Sequence, residues 1–99
     1  DDAPSAVFAH NDTIAIGASG LFRELGIECP DQMSVIGYND VPLTAHLQLP
    51  LTTIRLPGYE LGRLAAELVV TTMAGLDTTV GTVRLAPELV VRASTAPPP

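Results

Sequence analysis

Two short apolar runs, Ala6-Val7-Phe8-Ala9 and Val35-Ile36-Gly37-Tyr38, bracket one amphipathic stretch. That succession constrains the fold more than any other feature of the chain. Between the runs, apolar side chains fall at Ile14, Ala18, Leu21, Phe22 and Leu25, which is the period of one helical face. Gly26 follows as a natural stop, because glycine adopts the left-handed conformation that ends helices. The runs are of strand length, and a Pro30-Asp31 turn precedes the second. Strand, helix from Thr13 to Leu25 and strand together predict a right-handed βαβ unit with parallel strands. The class is α/β.

The rest of the chain is more broken. "VPLTAHLQLP" (41–50) carries prolines at both ends and reads as a connecting loop. "LTTIR" (51–55) reads as a strand closed by Pro57. Leu61, Leu64, Ala65, Leu68, Val69 and Met73 then repeat with helical spacing up to Gly75. Arg63 can pair weakly with Glu60 and Glu67 on the outer side. Two β-rich runs follow, Val80 to Leu85 and Leu89 to Arg92, around a Pro87 that cannot sit inside a central strand. The last residues, 97–99, are a proline tail.

Composition narrows the class of function. A hydrophobic share of 46% describes a chain that folds, while two Tyr, two Phe and no Trp leave the core to Leu, Val, Ile and Ala. A formal charge of −6 with only five Lys and Arg argues against gripping a phosphate backbone. Cys29 is alone, so no internal disulfide forms, and a reducing compartment is the simpler setting. No leader or membrane span is visible, and the Asp-Asp-Ala-Pro start without Met reads as a piece cut from a longer protein.

Chemistry in a parallel α/β sheet gathers beyond the carboxyl ends of the strands. Both predicted strands end in the same punctuation, "AHND" and "GYND". Asn11-Asp12 and Asn39-Asp40 should therefore share one rim of the sheet, with Tyr38 beside them. Asp12 is equally placed to cap the helix, and Asn39-Asp40 to form an Asx turn; a carboxylate has acceptor sites enough for two uses. Enzyme signatures are missing. "GASG" (17–20) lacks nucleophile-elbow spacing and lies inside the helix. His10 and His46 have no partner at metal spacing, and no phosphate-binding glycine loop is present. The residues point to no catalysis, no metal and no cofactor.

Taken in order, "FAHND", a helix ending in glycine, "PDQMSVIGYND", "PLTTIRLP", "GRLAAEL" and "ELVVRAST" resemble the C-terminal part of a LacI/GalR-family transcription regulator. The resemblance runs from about Ala6 to Thr95. It implies a parallel-sheet, periplasmic-binding-protein-like (type I) fold in two lobes with a small effector, often a sugar, between them. About residues 1–41 and 78–96 would belong to the C-terminal lobe, and about 42–77 to the crossover and the N-terminal lobe. The family's "ND" aspartate, which contacts ligand hydroxyls, maps onto Asp12; Asn11, Tyr38, Asn39 and Asp40 would share that cleft. The helix would pack across a homodimer through Gly17, Gly20, Leu21 and Glu24. The resemblance further implies a cytoplasmic protein that meets operator DNA only through a helix-turn-helix absent from this sequence, and no membrane. An extracytoplasmic sugar-binding component of a transporter is the alternative with the same fold.

Overall fold

The computed structural model describes residues 2–76 and 81–99. Strand β1 (Ala6–Phe8), helix α1 (Asp12–Glu24) and strand β2 (Ser34–Ile36) form the expected βαβ unit, with β1 and β2 parallel and Val7 opposite Val35. Asn11 caps α1: its side chain accepts a hydrogen bond from the Ile14 N–H at 2.9 Å. At the other end Gly26 takes φ +72°, the left-handed stop for which its lack of a Cβ suits it. A one-turn 3-10 helix, Pro42–Ala45, interrupts the segment that reads as an irregular loop in sequence; Pro42 at its first position presets φ.

Strand β3 (Thr53–Arg55) lies along the free edge of β2. Gly37 N–H donates to the Thr52 carbonyl at 2.9 Å, and Asn39 N–H to the Ile54 carbonyl at 2.8 Å. These contacts belong to two isolated parallel bridges, Ile36 to Thr52 and Asn39 to Arg55. Strand β4 (Glu88–Val90) pairs with β3 antiparallel, Ile54 opposite Leu89. Two two-stranded sheets, β1–β2 parallel and β3–β4 antiparallel, are thus linked by isolated parallel bridges between the β2 and β3 segments. Beyond β4 the chain stays close to β2, where Val35 N–H donates to the Ser94 carbonyl at 2.9 Å.

The core of this unit is small and half polar. Ala9, Ala15, Val35 and Leu51 are its buried apolar residues. Asp12, Ser34, Thr44, Thr52, Thr53 and Ser94 are buried beside them. Such a core is tolerable only if every polar atom has a partner. Ser94 Oγ accepts from the Thr52 N–H at 2.8 Å and donates to the Val35 carbonyl at 2.6 Å, stitching three segments together. Among the described residues no buried side-chain nitrogen or oxygen lacks a partner.

The stripe counted along α1 is not the face that meets the sheet. Asp12 and Ala15 point inward with Phe22 packed against the core, whereas Ile14, Leu21 and Leu25 are 51%, 52% and 64% exposed. The buried strip is rotated by one position from the one that apolar spacing selects, because a buried, hydrogen-bonded Asp12 occupies it.

Two compact units divide the described residues. The first comprises 1–55 and 88–99, the second Leu56–Pro87. The chain leaves the first unit after Arg55, and Thr44 and Leu51 to Thr53 are buried in that unit. It returns at Glu88. The second unit is built on helix α2 (Gly58–Met73), which ends before Gly75 at φ +74°. Arg63 pairs with Glu60 at 3.4 Å and Glu67 at 2.7 Å. Both pairs are exposed, so they contribute little. No residue of α2 is buried. The run expected as a strand from Val80 begins outside the described residues, and its described part, Gly81 to Leu85, forms no strand. Among the described residues no helix is long and apolar enough to cross a membrane.

Candidate functional site

The carboxyl ends of β1 and β2 open onto one depression of about 520 Å³ lined by Phe8, Ala9, His10, Asn11, Tyr38 and Asn39. Strand direction places these residues together, as the parallel register dictates. The Asn11 carbonyl oxygen is committed to the helix cap, and its Nδ2 has no protein partner among the described residues. The same holds for the Asn39 amide and the Tyr38 hydroxyl. The rim therefore offers amide donors, amide and phenol oxygens, an imidazole and two aromatic faces. Such a set suits a neutral ligand with hydroxyls or amides on its edges and an apolar flank.

The two aspartates do not line this depression. Asp12 is 1% exposed. Its Oδ1 accepts from the Thr53 hydroxyl at 2.6 Å, and its Oδ2 from the Val41 N–H at 2.8 Å. Both oxygens of the Asp12 carboxylate are thus engaged inside the fold, and the reading of Asp12 as the cap is corrected, since Asn11 makes it. The reason lies in the turn itself: Asn11 takes the cap, so the next residue starts the helix with its side chain pointing back into the sheet. There Asp12 joins α1, the Val41 segment and β3. Gly37 makes this approach possible, since a Cβ at that position would collide with the Asp12 carboxylate and lie 2.9 Å from Leu51 Cδ2.

Asp40 is equally occupied. Arg55 Nε donates to its Oδ2 at 2.7 Å, and the Arg92 guanidinium and the Thr44 hydroxyl reach its Oδ1 at 2.7 and 2.9 Å. Thr44 Oγ1 also lies 2.8 Å from the Val41 carbonyl, so its single hydrogen serves one acceptor at a time. Arg92 holds the Leu51 carbonyl at 3.0 Å as well. Burial alone would raise the Asp40 carboxyl, but the hydrogen bonds from Arg55, Arg92 and Thr44 outweigh it and hold the group at about 2. Asn39 and Asp40 have φ of 121° and 57°, a region that costs side-chain-bearing residues of the order of 1 kcal/mol or more each. Asn39 is exposed, while Asp40 beside it is held by the two ion pairs.

Of the five rim residues expected from sequence, the structure gathers Asn11, Tyr38 and Asn39 on the depression and sets Asp12 and Asp40 behind it. Thr44, Thr53, Arg55 and Arg92 escaped the sequence reading. Arg92 and Arg55 had a signal, each a lone cation among apolar residues. The two threonines had none. Gly17 and Gly20 on α1 have open space around them, and Leu21 and Glu24 are exposed on the same helix.

A parallel strand pair with amide-bearing turns at its carboxyl ends has the geometry that suits a small-molecule site. The sequence pattern of the periplasmic binding protein-like domain matches residues 1–95, and the chain belongs to that family, in its LacI-type branch. It is similar to the HTH-type transcriptional repressor CytR of Escherichia coli (strain K12), 39% identical over 92 residues, which are 93% of this chain and 27% of the repressor. Among solved structures it is similar to a LacI family transcriptional regulator from Mycobacterium smegmatis, with 35% identity and a TM-score of 0.88 over 100% of this chain and 36% of that one. Another similar structure is a LacI family regulator from Enterococcus faecium with bound ribose, at 34% identity and a TM-score of 0.84, covering 98% and 36%. The chain thus spans about a quarter of the length of the repressor it matches. These relatives are regulators and not enzymes, and they do not favour the transporter alternative.

Proposed function

We propose that this chain is the C-terminal part of the effector-sensing region of a cytoplasmic transcription regulator, and that Asn11, Tyr38 and Asn39 contact a neutral polyhydroxylated effector. The observation that carries the reading is the rim itself: two outward amides and a phenol at the carboxyl ends of parallel strands, with both nearby carboxylates satisfied internally. A rim without a free carboxylate among its described residues favours uncharged over cationic ligands. The bound ribose of the Enterococcus faecium relative supports a sugar-like class. Effector binding would shift the affinity of a helix-turn-helix elsewhere in the full-length protein for operator DNA. The exposed stripe of α1, with Gly17, Gly20, Leu21 and Glu24, would form a homodimer contact, and the two units would belong to the two lobes. In this reading Asp12 and Asp40 hold the rim in place and do not touch the ligand.

Titration calorimetry on the full-length protein with ribose, sucrose and cellobiose, followed by operator binding with and without the sugar that binds, tests the proposal. Saturable binding that changes operator affinity is the expected result. Operator affinity indifferent to every one of these sugars that binds would overturn it.

A further inference from the structure

Asp40 sits where several segments meet: besides Thr44 of the 3-10 helix, its partners are Arg55 and Arg92, at or just past the ends of the two strands by which the chain leaves and re-enters the first unit. Arg55 is the last residue before the exit, and Glu88, opposite Arg55 in the β3–β4 ladder, is the first after the return. Arg55 reaches both Asp40 at 2.7 Å and Glu88 at 3.6 Å. Arg92, just beyond β4, closes the other side of the same carboxylate. The residue immediately before Asp40 is Asn39, which lines the depression and whose N–H is held by the Ile54 carbonyl, one residue from Arg55.

We propose that Asp40 is a positioning residue for the effector site: it locks the Asn39 amide in its outward, positive-φ conformation and ties it to the two crossing strands, so that ligand contact at Asn39 is read out in those strands. The part concerning ligand rests on the effector-sensing function argued above. The geometry favours this role over simple fold maintenance in two respects. First, the carboxylate's anchors are Arg55 on β3, Arg92 just past β4 and Thr44 in the 3-10 helix, and none lies on α1, which is tied down through Asp12, or on β1, which pairs with β2. Second, Arg55 is half exposed, so its pairing with Asp40 adds little to the core.

The test uses the full-length protein and two variants, Asp40→Asn and the milder Arg55→Gln, in two measurements. Hydrogen exchange without ligand reports the Asn39 N–H directly: in both variants it should exchange about tenfold faster or more while amides of the Val35 segment stay at wild-type protection. Calorimetric titration with the sugar that the wild type binds then closes a double-mutant cycle with Asn39→Ala. Asp40→Asn should weaken binding about tenfold in the wild-type background and add nothing further once the Asn39 amide is gone. Unchanged exchange at Asn39, or losses that simply add in the cycle, would overturn the proposal. A wild-type protein that binds no tested sugar would count against the effector reading alone, and the exchange measurement would still decide whether Asp40 positions Asn39.

Discussion

The carboxylates and amides at the two strand ends have opposite duties. Asparagines face outward and aspartates inward, although each pair is adjacent in sequence. At Asp12 the inward duty is structural, so Asp12→Asn should leave a buried N–H or hydroxyl poorly matched and destabilise the fold by about 1–3 kcal/mol, read by denaturant unfolding. Gly37→Ala should cost a similar amount, about 1–3 kcal/mol, since its methyl group drives apart the Asp12 carboxylate and Leu51. Asp40 predicts a pH effect. Its folded-state group is held at about 2, below the ordinary value of 3.8, so the stabilisation is fully present above about pH 4 and is lost as the pH falls towards 2. Melting curves of wild type and Asp40→Asn should therefore converge over that interval and diverge above it.

Elements were the most legible level in the sequence, and unevenly so. Helical and strand periods located β1, α1, β2 and α2, and Gly26 and Gly75 marked both helix ends. Polar contacts in the core were illegible for a physical reason: Ser94 meets Val35 and Thr52, and Thr53 meets Asp12, across separations of 41 to 59 residues that no local period encodes. The site was legible to within one residue. Spacing named the "ND" pair, yet which member turns outward depends on the one-residue rotation between an N-cap and the first helical position. The same rotation leaves Ile14, Leu21 and Leu25 exposed along α1. If that stripe joins two copies, Leu21→Glu should shift the full-length protein from dimer towards monomer in sedimentation velocity, with the melting temperature of the monomer little changed, because Leu21 contributes no core packing.

At the scale of the whole molecule, two crossings of the chain join the units, after Arg55 and before Glu88, and both lie beside the Asp40 cluster. No residue of α2 is buried, and its apolar side is open. The central claim is that amides, and not carboxylates, meet the effector. Calorimetric titration of full-length Asn11→Ser beside Asp12→Asn tests it most directly, since serine keeps an oxygen for the cap and removes only the amide. The account predicts about tenfold weaker binding by Asn11→Ser at near wild-type melting temperature, and near wild-type affinity for folded Asp12→Asn at a lowered one. The contradicting result is Asn11→Ser binding as tightly as wild type while Asp12→Asn, fully folded, loses the effector.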